Sequence, residues 1–245
     1  MLQTVNALII RDMKTKFSDD PLGYGWALLN PLAWIGALVV FFTIVQKQSP
    51  IFTDLISFVM SGMLPYMVFR YTITAMMRAK KLNRSLTYIE SVTSGKIMIS
   101  AALVELINGV VVYLVLFSLN YVVYEKAEAH NLLLMMYGYL CAWAIGASVG
   151  NFVAELSARY DIFSRIMPVL LRPVFWLSGI FYTANELPLG IAEILTLNPL
   201  FQAIEVLRSG AFQGYESRSV VYSQPILFVV IMVLSAELFK RIKKS

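Results

Sequence analysis

The chain has 245 residues, of which 58% are hydrophobic and 14% charged, with a formal net charge of +5 and a mean hydropathy of +0.69. A soluble domain carries about a quarter charged residues, so this composition excludes an ordinary water-soluble globule. A single cysteine, Cys141, and a single histidine, His130, exclude an internal disulfide or Cys-based metal site and argue against multi-histidine membrane oxidases, desaturases and haem carriers.

In chain order, the first stretch is "TVNALIIRDMKTKF", which sets Val5, Leu8, Ile9 and Met13 on one side of a helix, with Asp12, Lys14 and Lys16 largely elsewhere. That pattern predicts an amphipathic helix on the cytoplasmic membrane surface within residues 1–25. The order is not the basic-then-apolar order of a secretory leader. Pro21, Gly23 and Gly25 then turn the chain, and Trp26 is placed to anchor a span at the headgroups. Five apolar runs follow, Trp26–Val45, Leu55–Met77, Ile97–Tyr121, Leu132–Ala154 and Ile162–Thr183, and a sixth covers Val220–Phe239. Each is near the length of about 20 residues that crosses the hydrocarbon as a helix. Helices are the economical form for them, because lipid offers backbone groups no partner.

Between the second and third runs lies "RAKKLNRSLTYIESVTSGK", residues 78–96. Its middle predicts a short helix capped by Asn83 or Ser85, with Leu86, Ile89 and Val92 on one face. It reads either as a basic loop on lipid headgroups or as a helix offered to a soluble protein. In the fourth run, "GASVG" imitates the G-x-S-x-G of serine hydrolases, but that motif needs a strand-to-helix elbow and a nearby histidine. Gly146 and Gly150, four apart, instead predict a helix-packing face. The stretch Asn185–Phe212 is apolar yet interrupted by Glu186, Pro188, Glu193, Pro199 and Glu205. It predicts a helical hairpin at the outer face within residues 184–215, broken at Asn198-Pro199, either dipping into the membrane or lying on it.

Basic residues set the orientation. With the N-terminus inside, fourteen of the 20 Lys and Arg residues fall on inner segments and four, Lys47, Lys126, Arg208 and Arg218, in outer loops. Both termini are therefore expected in the cytoplasm. This bias and anionic inner-leaflet lipid account for the net charge, so no nucleic-acid partner is expected.

Three charged residues lie deep inside the runs, away from their ends. Arg70, Glu105 and Arg172 sit about 12, 13 and 10 Å from their basic cytoplasmic flanks at the helical rise, and intramembrane charges need a partner or a function. In one reading Glu105 forms an ion pair with an arginine that holds helices together. In the other, Arg70 and Arg172 line a portal for an anionic glycolipid or acidic sugar chain, since the guanidinium fork suits phosphate and carboxylate. Trp34, Tyr66, Tyr71, Phe175, Trp176 and Tyr182 cluster in the first, second and fifth runs and are candidate channel residues. Their faces can pack against sugar rings, although aromatics are also common packing residues.

Several motifs together resemble the membrane subunit of an ATP-binding-cassette exporter of the second exporter class, and within it that of capsular polysaccharide exporters. "LIIRDMKTKF" with "LGYGWALLNPL" is similar to the family's amphipathic leading helix and first span. "NRSLTYIESV" with "ALVE" is similar to its intracellular coupling segment and third span, and "LRPVFWLSGIFYTANELPLGIAEILTLNPLFQAIEVLRSGAFQGY" to its most specific region. The chain departs from the pattern at Ser94-Gly95, where many relatives have a proline, and at Gln202, where some have a histidine.

The resemblance implies an all-α polytopic membrane protein forming one transmembrane domain over residues 1–245, with six spans, the surface helix and the outer hairpin. It implies that Asn83, Leu86, Tyr88, Ile89, Glu90 and Val92 couple to a partner ATPase. No G-x-x-x-x-G-K followed by Ser or Thr occurs in the chain, so ATP and magnesium belong to that separate subunit and no cofactor is expected here. The implied assembly is a homodimer with two cytoplasmic ATPases in a bacterial inner membrane, meeting a periplasmic polysaccharide co-polymerase and an outer-membrane export protein. The implied cargo is a lipid-linked capsular polysaccharide; O-antigen, teichoic acid or a small lipophilic compound are the same-class alternatives, and an intramembrane serine protease is a remote one.

Overall fold

The computed structural model describes residues 2–16, 23–51, 54–88, 92–124, 129–218 and 220–242. Every regular element among them is helical: α1 (Leu2–Lys16), α2 (Gly25–Ile44), α3 (Leu55–Leu82), α4 (Ser94–Tyr124), α5 (Leu132–Arg159), α6 (Ile162–Leu177), α7 (Leu189–Thr196), α8 (Pro199–Ala211) and α9 (Gln224–Ile242). Two short 3-10 turns, Arg84–Tyr88 and Ala184–Glu186, join them.

Several ends follow from local chemistry. Asp54 caps α3 by accepting from the Ser57 amide at 2.9 Å, and Asn131 caps α5 by accepting from Leu134 at 3.1 Å. Asn198 accepts from the Leu200 amide at 3.0 Å, and Pro199 opens α8 where its missing N–H costs nothing. The break expected at Asn198-Pro199 is therefore there, and α7 and α8 meet at 105°. Before α7 the Glu186 carboxylate accepts from the Thr183 amide at 3.1 Å, one half of a capping box.

The centre is the α3–α5 pair, flanked by α4 on one side and α8 on the other, with α9 against α5. Close approach is set by small residues. A Cβ at Gly146 would stand 2.7 Å from the Phe69 carbonyl oxygen, and one at Gly138 would stand 2.6 Å from the Leu207 amide. The glycine spacing of α5 thus serves helix packing, and Ser148 spends its hydroxyl on the Ile145 carbonyl at 2.9 Å. Where α6 ends, Gly179 adopts φ +80° against the Phe201 ring, a conformation and a gap that only glycine fits without strain.

The outer helices behave differently. α2 buries one stripe, Pro31, Ile35, Leu38 and Phe42, and leaves Leu32, Trp34, Val40 and Phe41 exposed. A helix apolar all round but packed on one stripe has its other faces available to lipid or to another subunit. α6 does the same with Val169, Leu170, Trp176 and Leu177. At the N-terminus Val5 and Leu8 are buried and α1 lies against α4.

Three helices, α2, α4 and α5, are each long and apolar enough to cross a membrane, and the bent α7–α8 pair adds a fourth if taken as one span. The other expected spans fall short for identifiable reasons. α3 carries Arg70, Arg78, Lys80 and Lys81, and α9 ends on Glu237, Lys240 and Arg241. α6 has 16 residues, about 24 Å of helix, against about 30 Å of hydrocarbon.

Candidate functional site

Arg70 from α3 and Arg172 from α6 line one cleft of about 400 Å³ together with Trp34, Tyr66, Phe175 and Trp176. Three separate helices, α2, α3 and α6, thus bring together six of the residues expected to line a passage. Tyr66 is buried and donates to the Leu171 carbonyl at 3.0 Å, tying α3 to α6 beside both arginines. Phe175 stands edge-on to Tyr66 at 5.1 Å and lies 6.2 Å from Trp34. Trp176 stacks on Phe181 at 4.7 Å, and Phe181 meets Phe42 at 6.0 Å, so the aromatic wall continues from α6 onto α2. Among the described residues, no carboxylate lies within ion-pair distance of Arg70 or Arg172. The cleft can therefore offer two guanidinium groups to an anion, between walls that accept the faces of rings.

Two of the expected channel residues lie elsewhere. Tyr71 is next to Arg70 in sequence but points into a second cleft, where its oxygen accepts from Asn30 Nδ2 at 3.0 Å. Successive helix positions are about 100° apart, so neighbours in sequence face different helices. Tyr182 donates to the Trp176 carbonyl at 2.9 Å and packs toward Phe201, above the cleft and outside its lining. Glu105 is in an ion pair, as one reading required, but its partner is neither arginine. Lys16, at the end of α1, reaches its carboxylate at 2.6 Å. Glu105, on α4, lines a different cleft from the one that holds Arg70 and Arg172.

The segment after α3 is a short 3-10 helix, Arg84–Tyr88. Asn83 closes α3, and its carbonyl accepts from the Leu86 amide at 3.1 Å. Leu86 and Val92 turn inward and join Leu8, Ala79, Ile97 and Ala101, docking the segment on α1, α3 and α4. Tyr88 is 90% exposed. Ile89 and Glu90 lie outside the described residues.

The most enclosed charges lie in α8. Arg208, assigned to an outer loop, is fully buried in α8 and pairs with Glu205 one turn earlier at 3.2 Å. Its guanidinium also donates to Ser61 Oγ at 3.2 Å and the Tyr182 carbonyl at 2.9 Å, and lies 4.4 Å from the Phe58 ring centre. Glu205 accepts from the Ala184 amide at 3.3 Å and from Tyr215 and Ser217 hydroxyls at 2.6 Å each. Burial and the Glu205 carboxylate push the Tyr215 phenol above its ordinary range, so it remains a donor. The E-x-x-R spacing of "EVLR" is the signal that could have found this pair, since residues three apart share a helix face.

The comparisons with known proteins agree with this architecture. The ABC-2 type transporter family matches residues 3–212. The chain is 25% identical over 228 residues to the polysialic acid transport protein KpsM of Escherichia coli, covering 93% of this chain and 88% of that one. It is 23% identical over 234 residues to the capsule polysaccharide export inner-membrane protein BexB of Haemophilus influenzae, with 95% and 86% covered. It is 21% identical over 232 residues to the inner-membrane protein CtrC of Neisseria meningitidis serogroup B, also of capsule polysaccharide export, with 93% and 85% covered. A family match over most of the chain, on an all-helical bundle with several membrane-length apolar helices, leads to one conclusion: the chain belongs to the ABC-2 type transporter family of membrane proteins.

Proposed function

We propose that this chain is the membrane subunit of an ATP-driven exporter that moves a lipid-linked acidic polysaccharide out of the cytoplasm. The observation that carries the cargo reading is the cleft in which Arg70 and Arg172 stand, among the described residues, without carboxylate partners beside Trp34, Tyr66, Phe175 and Trp176. Acidic sugars and phosphate anchors are anions on ring-shaped or amphiphilic bodies. Guanidinium groups hold the anion, while aromatic faces hold rings without fixing their register. The names of its relatives, which are transport and capsule polysaccharide export proteins, support the same cargo class.

In this reading α2, α3, α4, α5, α6 and α9 are the six spans, and the α7–α8 pair is the outer hairpin. Both termini face the cytoplasm of a bacterial inner membrane. Two copies pair through their unpartnered apolar faces, and the cleft, open on the α2 and α6 side, faces the shared passage. Energy comes from two copies of a separate ATPase that holds ATP and magnesium. That subunit engages the segment around residues 83–92, where Tyr88 is the exposed handle and Leu86 and Val92 carry its movement to α1 and α3. A periplasmic co-polymerase and an outer-membrane export protein complete the route. The closing of the ATPases shifts the coupling segment, and a rigid-body change of the spans follows.

The test is co-purification of the partner ATPase, followed by transfer of a labelled acidic glycolipid into proteoliposomes. ATP-dependent transfer by the wild type, lost with Arg172→Ala in a complex that still assembles, is the expected result. Normal transfer by that variant removes the arginines from the substrate path. A complex that moves a neutral glycan or a small lipophilic compound instead overturns the cargo class and leaves the architecture standing.

A further inference from the structure

A second cleft, of about 480 Å³, is enclosed by α1, α2, α3 and α4 and has no part in the cargo path proposed above. Its lining is graded along the helices. On α3 it passes from Leu64 and Met67 through Tyr71 and Thr74 to Arg78, about 21 Å of helix rise. On α4 it passes from Val112 through Asn108 to Glu105. One end is hydrocarbon, the middle offers hydrogen-bonding groups, and the far end is charged.

The charges are unequally satisfied. Asp12 is held by Arg11 at 2.6 Å, and Glu105 by Lys16 at 2.6 Å. Arg78 is exposed at the mouth, and among the described residues it has no carboxylate within ion-pair distance. Deeper in, Asn108 is 5% exposed; its Oδ1 accepts from the Tyr24 hydroxyl at 2.8 Å while its Nδ2 has no partner. A buried amide N–H without an acceptor is costly.

The geometry points to a bound anionic phospholipid in this cleft, with its phosphate on Arg78, its glycerol-ester region beside Asn108 and Tyr71, and an acyl chain against Leu64, Met67 and Val112. An inorganic phosphate would leave the apolar end empty, and a purely apolar molecule would leave Arg78 and Asn108 unserved. The headgroup is anionic because both carboxylates of the lining are already engaged, so none is left for the ammonium of a zwitterionic lipid. Such a lipid would cement the surface helix α1 to α3 and α4. The inference requires that the chain span a membrane and is independent of the cargo.

The same phosphate chemistry could come from the bilayer or from the lipid anchor of an exported glycan, and the test separates them. The full chain is purified from cells that make no export cargo, placed in phosphatidylcholine nanodiscs and titrated with phosphatidylglycerol, with native mass spectrometry counting lipids per chain. The expected result is one phosphatidylglycerol per chain, preferred about tenfold over phosphatidylcholine. Arg78→Gln should remove that preference, whereas Arg165→Gln, at an exposed arginine outside the cleft, should keep it. Thr74→Trp, which fills the cleft without changing charge, should abolish binding; if that variant does not assemble, the Arg78→Gln arm decides. Equal binding of the two lipids, an unchanged preference in Arg78→Gln, or binding retained by an assembled Thr74→Trp overturns the proposal. So does binding of an added cargo glycolipid where phosphatidylglycerol does not bind.

Discussion

Arg208 and Arg172 both lie in strongly apolar surroundings, yet the protein treats them in opposite ways. Arg208 is enclosed by α3, α8 and the turn before α7, and its guanidinium meets a carboxylate, a hydroxyl, backbone carbonyls and an aromatic face. Arg172 opens into a cleft beside Arg70, and neither has a carboxylate partner among the described residues. Removing charge from water is expensive, and a satisfied buried pair returns that cost only through good geometry. A charge left without a partner at a cleft is a charge still able to receive one. The first arrangement holds a fold together; the second is available for work.

The sharpest way to break the comparison is to orphan Glu205. Arg208→Met leaves a buried carboxylate without its cation and is expected to cost about 3–5 kcal/mol, seen as loss of monodisperse protein after detergent extraction. Glu205→Leu combined with Arg208→Met should recover part of the yield, because no lone charge remains. A stable single variant with normal yield would show that the pair is not what fixes α8.

Arg172 should give the reverse pattern. Arg172→Ala is expected to leave extraction yield unchanged and to lower glycolipid transfer by about tenfold or more, the scale of a charge-assisted hydrogen bond. Arg172→Lys should fall between, since it keeps the charge but not the fork. If yield falls in step with transfer, Arg172 belongs with Arg208 and the contrast disappears.

A smaller version of the same contrast stands at the end of α3, where two adjacent lysines pair differently. Lys80 meets Glu155 in a mostly enclosed pair, and Lys81 meets Asp161 at 3.2 Å with both side chains largely exposed. Lys80→Ala should lower the midpoint of thermal unfolding measurably. Lys81→Ala should stay within about 0.5 kcal/mol of wild type, as exposed pairs contribute little. Equal effects would mean that enclosure is not the deciding variable.

The smallest effect on stability is expected at Tyr88, whose side chain touches little. Tyr88→Ala should leave unfolding unchanged while reducing the amount of ATPase that co-purifies. Leu86→Ala, inside the small cluster with Leu8 and Val92, should loosen the segment and be seen as faster amide exchange across 83–88.

Much of the architecture was legible from the residues. The apolar runs are helical for most of their length, although α6 stops at Leu177 and α9 starts at Gln224; the Asn198-Pro199 break is a 105° bend, and Gly146 marks a close approach. These are local properties: lipid solubility, capping and the lack of a side chain act within a turn or two of chain. The segment around residues 83–92 was only half legible. Its apolar spacing predicted a shared face for Leu86, Ile89 and Val92, but not that Leu86 and Val92 meet α1, α3 and α4, which come from distant parts of the sequence.

The two arginines mark the boundary between what residues state and what packing decides. Charge counting assigned Arg208 a side of the membrane but not its burial, because a count attaches a charge to its stretch of chain and has no access to the helices that surround it. Sequence likewise gave Glu105 and Arg172 similar depths, but the direction in which each points depends on the rotation of α4 and α6 about their axes. That rotation is set by the small-residue contacts of α3, α5 and α8 and by ties such as Tyr66 to Leu171. By itself the sequence determined a helical membrane protein, its breaks and its small-residue packing faces, since those depend on near neighbours and on transfer from water to lipid. Only the tertiary structure decided which charges are neutralised and which remain open, because an ion pair is a relation between residues that the chain alone does not bring together.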